Sequence, residues 1–377
     1  MIMSSMVMWL FTFLFIINLA DTILFLKEKT CSPLSLFTDN IYLNRYILYD
    51  VNSVEGFNLR RDVYMRLAIF MHNVIKSDEV HWYLVLPPWT NMHHWRNTNP
   101  ELLVPWERFF DLESLRKFVP VLEMHEFLKG KKLKNFGTAY ILQHYPDAFT
   151  EDFDWQEKWD LSKCDNSNYG FKTNKYAPPS IDITVDRFQC ISYFGQASFL
   201  KEIINATKSR SIIFDHAEIV LHDEFGSKTY WECRRSMRFA KPLVTKASEF
   251  RNLHLQSNDE KDKTVRLKDW KQEKAGRKAL GGPYLCVHWR RRDFIFGRPL
   301  NIPNTQNTAQ QIINKLKDLN LNTVFIATDS STEDFKILKT LLKEYNVVQY
   351  VPKKEELILF TDGGVAIIDQ IICSHAR

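Results

Sequence analysis

The chain has 377 residues, 45% hydrophobic and 14% aromatic, with a formal net charge of +5. That length allows roughly two domains around a sizeable core, and the composition marks a globular protein. A charge of +5 spread this thinly argues against a nucleic-acid binder, though it suits a basic pocket for a diphosphate.

From the amino terminus, residues Met6 to Leu19 are apolar and run into Ala20-Asp21. This predicts a secretory signal peptide over residues 1–20, cleaved from the mature chain. Asp21 interrupts the run short of the roughly 20 residues a bilayer span requires, so no stable membrane insertion is expected. An uncleaved anchor reaching Leu26 is the alternative. Six cysteines follow, Cys31, Cys164, Cys190, Cys233, Cys286 and Cys373. None has the Cys-x-x-Cys spacing of a zinc site. In a secretory compartment some should pair. Cys164 and Cys190 bracket a polar stretch whose closure would stabilise by roughly 3.5 kcal/mol on the chain-entropy view. Cys286 and Cys373, on apolar segments, read as buried free thiols.

Ile47 to Val51 reads as a strand, Asn52 to Asn58 as a turn, and Leu59 to Ile75 as an amphipathic helix with Leu59, Val63, Leu67, Phe70, Met71 and Val74 on one face. Strand, glycine turn, helix is an order in which Gly56 lets a ligand approach the backbone and helix-start amides favour an anion. Glu55 stands at that mouth, either as a carboxylate favoured by the helix dipole or as a general base. Trp82 to Leu86 is a second strand, stopped by Pro87-Pro88-Trp89, and Pro105 to Phe110 adds aromatic punctuation. The βαβ order implies a parallel sheet. The acidic, aromatic region around Trp155 and Trp159 reads as a surface excursion. Its Asp152-Phe153-Asp154 matches the short acidic motif of metal-dependent sugar transferases, but three-residue matches arise by chance and this one is discounted. Asn205-Ala206-Thr207 is an N-glycosylation sequon.

Ser211 to Phe214 is a strand candidate, while Ala217 to Leu221 and Tyr230 to Ala240 read as helical, with Arg234 and Arg235 pairing at a core edge. Ser257 to Lys274 is dense in charge and marks a linker or exposed helix between domains. Gly281-Gly282-Pro283 breaks the chain before Tyr284 to Val287, a run expected to be a strand buried on both faces. It feeds His288, Arg290, Arg291, Arg292 and Asp293. The carboxyl end of such a strand is where ligands sit in open α/β sheets, and an arginine fork there matches phosphate oxygens. Asp293 can hold one of these cations in place. A helix over Ala309 to Leu319, a strand over Thr323 to Ala327 ending in Thr328-Asp329, a helix over Ser331 to Tyr345 and a strand over Val347 to Val351 follow. Thr361-Asp362-Gly363-Gly364 caps a final helix from Val365. Asp369 interrupts its apolar stripe and needs a partner, in the fold or in a ligand. There are no repeats or low-complexity segments.

Taken together, Glu55-Gly56-Phe57-Asn58-Leu59-Arg60-Arg61, Leu86-Pro87-Pro88-Trp89, Gly281 to Leu285, His288 to Asp293 and Asp362 to Gln370 resemble the protein O-fucosyltransferases, and most of all those that modify thrombospondin type 1 repeats. The resemblance runs from about Ile47 to Arg377. It implies an α/β fold of GT-B type, two Rossmann-like domains facing across a cleft. These would be an N-terminal domain at 41–245 carrying the base and acceptor side, and a C-terminal domain at 246–377 carrying the GDP-fucose side. It implies an inverting, metal-independent transfer of fucose from GDP-fucose to Ser or Thr hydroxyls in the endoplasmic reticulum lumen, with no other cofactor. On the family's pattern Glu55 is the catalytic base, and Gly56, Phe57 and Asn58 form the donor-binding turn. His288, Arg290 (for the β-phosphate) and Asp369 contact the donor, and Cys164 pairs with Cys190. Two departures stand out. Trp289 occupies a position that is usually aliphatic. The family also continues beyond the position of Arg377 with a strand, a Ser/Thr-Phe donor-binding segment and a second disulfide, so a C-terminally truncated second domain is expected. That truncation leaves a catalytically inactive homologue that only binds folded cysteine-rich repeats as the alternative.

Overall fold

The computed structural model describes residues 44–75, 80–92, 94–95, 97–130, 134–164, 175–273 and 278–377. The expected signal peptide and Cys31 lie outside them. The chain divides into Met1–Asn44 and a compact unit, Arg45–Arg377, which is described here. Its first sheet has seven strands: β1 (Asn44–Tyr49), β2 (His81–Leu86), β3 (Val121–Glu123), β4 (Thr138–Gln143), β5 (Lys158–Ser162), β6 (Arg187–Phe194) and β7 (Ser211–Asp215), in the order β3-β2-β1-β7-β4-β6-β5. The pairs β2–β3, β1–β7, β4–β7 and β4–β6 are parallel, and β5 closes one edge antiparallel to β6. The second sheet is β10-β9-β8, all parallel, from β8 (Leu285–Trp289), β9 (Thr323–Thr328) and β10 (Asn346–Val348).

Helices connect these strands. In chain order they are α1 (Phe57–Ile75), α2 (Leu112–Arg116), α3 (Met124–Gly130), α4 (Leu200–Asn205), α5 (Lys228–Ser236), α6 (Lys241–His254), α7 (Arg292–Gly297), α8 (Thr305–Asp318), α9 (Thr332–Leu341) and α10 (Lys354–Ser374). One continuous core joins the sheets: Ile47, Val63 and Phe70 belong to the same apolar cluster as Leu243, Phe325 and the Ile367, Ile368, Ile371, Ile372 stripe of α10. Helix α10 is long and apolar enough to cross a bilayer, but this stripe is buried inside the protein.

Several expectations need correction. Tyr284 to Val287 is not buried on both faces; the strand runs Leu285–Trp289 and is half-buried, because β8 lies at the edge of its sheet. The segment Ala217 to Leu221 is only a 3₁₀ turn, Ala217–Ile219, entered through a left-handed His216 and ended by extended Val220. Tyr230 to Ala240 stops being helical at Ser236 so that Phe239 can bridge Phe110, and a separate helix, α6, follows. The charged stretch Ser257 to Lys274 is not an exposed helix. Its Ser257 and Asp262 are buried, its Asp259 and Asp262 neutralise the buried Arg251, and Trp270 donates its indole N–H to the Ser114 carbonyl at 3.1 Å. A charge run folds inward when each charge finds a partner.

The cysteines supply a further correction. Cys164 and Cys190 are bridged, tying the segment after β5 to β6. Cys286 and Cys373, read above as free thiols, are bridged as well and fasten β8 to α10. Among the described residues the one free cysteine is the buried Cys233. The second bridge spans 87 residues, for which chain entropy predicts a stabilisation on the order of 4 kcal/mol. Replacing Cys286 with serine should therefore lower the unfolding midpoint under non-reducing conditions and make it insensitive to reductant at this bridge, as followed by denaturant titration.

Candidate active site

The first wall of the site is the turn between β1 and α1. Asp50 ends the β1 segment and Asp215 ends β7, and parallel pairing brings these two strand ends together. Two like carboxylates this close need cations. Lys175 Nζ supplies one, 2.7 Å from Asp50 and 3.2 Å from Asp215, and Arg60 Nη1 supplies another, 3.6 Å from Asp50. Arg60 also donates from Nε to the Glu55 carbonyl at 3.1 Å and from Nη2 to the Asn52 carbonyl at 3.3 Å. A buried charge network thus clamps the backbone of the turn. Gly56 gives its carbonyl to the Arg60 amide at 3.2 Å, which starts α1. The Glu55 carboxylate itself makes no hydrogen bond or ion pair among the described residues, since the cation nearest in sequence, Arg60, is held by Asp50. That leaves an acid free to accept a proton on a backbone that cannot drift. Phe57, by contrast, is packed in an aromatic stack with Trp89, Phe109 and Phe110, and Asn58 is exposed beside it.

The second wall is the end of β8. Trp289 is buried, and its carbonyl accepts the Thr328 hydroxyl at 2.6 Å. The Arg291 amide donates to Asp329 at 2.6 Å. These bonds lock the backbone on both sides of Arg290. The Arg290 guanidinium donates through Nε to Asp293 Oδ1 at 2.9 Å and through Nη2 to Oδ2, and lies over the Phe294 ring at 4.4 Å. Asp293 therefore holds the cation as the sequence suggested, and the Arg290 bonds keep its carboxyl below the usual carboxylate range. His288, two residues earlier in β8, is exposed.

His94 joins the walls. Arg290 Nη2 lies 3.3 Å from His94 Nε2, and a Cβ built on Gly56 would lie 4.0 Å from His94 Cδ2. The Glu55–Gly56 turn and Arg290, 235 residues apart in sequence, thus flank one side chain. His94 was not singled out in the sequence, because its loop has neither periodicity nor a motif. Helix α10 fixes that loop. Asp362 accepts from the Asn97 amide and side chain, both at 2.8 Å, and from the Thr98 hydroxyl at 2.9 Å. Next to it, a Cβ on Gly363 would come within 2.4 Å of the Trp95 ring and 2.7 Å of Phe109, so only glycine fits. The helix kinks at Thr361, whose φ of 61° and ψ of 174° are costly for a β-branched residue. That kink aims Asp362 at the loop.

Asp369 lies on the same helix, seven residues after Asp362, roughly 10 Å further along its axis at 1.5 Å per residue. Its Oδ1 is buried with no hydrogen-bond partner, and burial pushes its carboxyl up to about 8. In the unfolded chain this group titrates near 4. The folded protein therefore binds the extra proton between about pH 4 and 8, and stability falls as pH rises through that window. Asp369→Asn should remove this loss. The variant is expected to be more stable than the parent at pH 9, by on the order of 5 kcal/mol, with the gap closing toward pH 4 in thermal melts.

The remaining candidates lie elsewhere. Asp152 and Asp154 are exposed on either side of the buried Phe153, and Asp154 Oδ1 accepts the Gln156 amide at 3.1 Å, a turn contact. Among the described residues no group of three His, Cys, Asp or Glu side chains is placed to hold a metal. Asn205 is exposed at the end of α4, and Thr207 of its sequon accepts the Ser209 amide at 3.2 Å. Among the described residues, Arg234 and Arg235 make none of the core-edge ion pairs expected of them.

Comparison with known proteins gives the family and the fold. The family model for GDP-fucose protein O-fucosyltransferase matches residues 46–377. GDP-fucose protein O-fucosyltransferase 2 of Homo sapiens is 41% identical over 341 residues, covering 88% of this chain and 78% of that protein. The protein of the same name from Caenorhabditis elegans is 39% identical over 343 residues, with the same coverage. The crystal structure of POFUT1 in complex with GDP-fucose superposes with a TM-score of 0.54 at 14% identity, covering 89% of this chain and 96% of that one, which gives the fold as GT-B type. The chain is therefore a glycosyltransferase that belongs to the GDP-fucose protein O-fucosyltransferase family.

Proposed function

We propose that this chain transfers fucose from GDP-fucose to a Ser or Thr hydroxyl of a thrombospondin type 1 repeat, with inversion at the sugar's C1 and without a metal ion, in the lumen of the endoplasmic reticulum. The observation that carries the reading is the placing of an unpaired acid on the Glu55 turn and a guanidinium at Arg290 on either side of His94. In the proposed step the acceptor oxygen bonds to C1 on one face as Glu55 takes its proton. The bond from C1 to the β-phosphate oxygen breaks on the opposite face, and its electron pair leaves with GDP. Arg290 neutralises the departing diphosphate, the task a divalent cation performs in other transferases. Gly56 and Asn58 line the mouth of the donor turn, Phe57 braces it from the aromatic stack, and His288 and Asp369 add contacts to the donor. Two disulfides support the lumenal assignment, since such bridges persist in oxidising compartments.

The test is turnover by the purified full chain with GDP-fucose and a folded repeat, read as GDP release and a gain of one deoxyhexose by mass. The proposal expects stoichiometric transfer, inverted anomeric configuration by NMR and activity that survives a chelator. Binding of the repeat without any transfer would instead make the chain a non-catalytic binder, and loss of activity with chelator would refute the metal-free step.

A further inference from the structure

Among the described residues, several buried and half-buried arginines are neutralised by carboxylates. Arg60 meets Asp50, Arg66 meets Asp62, Arg238 meets Glu273, Arg251 meets Asp259 and Asp262, and Arg290 meets Asp293. Arg61, on the helix that starts from the Glu55 turn, is an exception. Its guanidinium is caged by aromatic faces, 5.5 Å from Phe57, 5.8 Å from Phe110 and 5.5 Å from Phe239. Its Nε is buried with no hydrogen-bond partner. Burial, and after it the nearby Arg234 guanidinium, push Arg61 down to about 10, so it stays charged at neutral pH. Arg234 is exposed, with its guanidinium 5.9 Å from the Trp231 ring. Its neighbour Arg235 also has a buried Nε without a partner. Among the described residues no carboxylate meets any of the three.

Setting Arg61 and Arg234 close enough to repel with no counter-ion is unfavourable unless an anion arrives. The rings on three sides restrict the Arg61 fork, and among the described residues it has no carboxylate partner, which suits it to the two oxygens of an incoming carboxylate. We propose that Arg61, with Arg234, is a specificity site that receives an acidic side chain of the acceptor polypeptide next to the reacting hydroxyl. This rests on the fucosyl-transfer reading. The acceptor is favoured over the donor as the source of the anion because Arg61 lies in the first turns of the helix that follows the Glu55 turn, whereas the cation assigned to the diphosphate, Arg290, follows a strand of the other sheet.

The experiment uses the full chain and a folded thrombospondin type 1 repeat. Repeat binding is measured by surface plasmon resonance without donor, and transfer kinetics and GDP binding are measured in parallel. Arg234→Gln and Arg61→Gln are expected to weaken repeat binding about tenfold and to raise the acceptor KM by a similar factor, with GDP binding unchanged and kcat within about twofold. Neutralising one acidic residue of the repeat should cause the same loss, with little further effect in combination with Arg234→Gln. Unchanged repeat binding in Arg234→Gln, a surface change that spares the fold, overturns the proposal. So does weaker GDP binding with repeat affinity intact, which would give these arginines to the donor. A wild-type chain that binds the repeat in this arginine-dependent way yet transfers nothing would refute the catalytic reading and leave the subsite standing.

Discussion

Glu55→Gln is expected to lower kcat by about 10²- to 10⁴-fold, the usual cost of losing a general base, with GDP binding unchanged. Glutamine keeps the shape and loses the basicity. The turn should survive, because Arg60 holds it through the Glu55 and Asn52 carbonyls and the Asp50 carboxylate, none of which the substitution touches. The readout is single-turnover transfer at saturating donor beside GDP calorimetry. If kcat stays within threefold of the parent, the carboxylate is not the base. If GDP binding collapses with it, the residue serves the donor.

Arg290→Ala is expected to act on the other partner of the reaction. Removing a preorganised charge from a leaving group costs about 10²- to 10³-fold, and here GDP binding should weaken too, because a diphosphate is charged before as well as during the reaction. Arg290→Lys should recover little of this, since a lysine ammonium cannot copy the two bonds to Asp293 and still present a fork outward. Steady-state kinetics varying GDP-fucose at fixed acceptor separates the two effects. Acceptor affinity in donor-free binding should not change.

The two halves of this site were legible in the sequence for the same reason. At Glu55-Gly56 a glycine turn interrupts an apolar pattern, and at His288 to Asp293 charge follows directly on a strand. Both are local contrasts. What brings them together is not local. His94 sits on a loop whose position is set by Asp362, more than 260 residues away, and by the space Gly363 leaves for Trp95. The pairing of Cys286 with Cys373 was hidden likewise, because each lies on an apolar segment and reads as core until β8 and α10 are packed. The charged stretch from Ser257 misled in the opposite sense. Its acids look solvated until Arg251 is seen beneath them. Arg61 was passed over as one of two adjacent arginines on a helix. Arg60 and Arg61 are one position apart, so a helix turns them to different faces, one toward Asp50 and one toward three aromatic rings.

The central claim is that Glu55 and Arg290 act on one transition state within one cleft. The kinetics of the Glu55→Gln, Arg290→Ala double variant test it most directly, because residues that act as a unit are strongly non-additive. The account predicts that the double variant loses no more than about tenfold in kcat beyond the worse of the two single variants. A loss equal to the full product of the single effects would mean that the two residues work independently, and would contradict it.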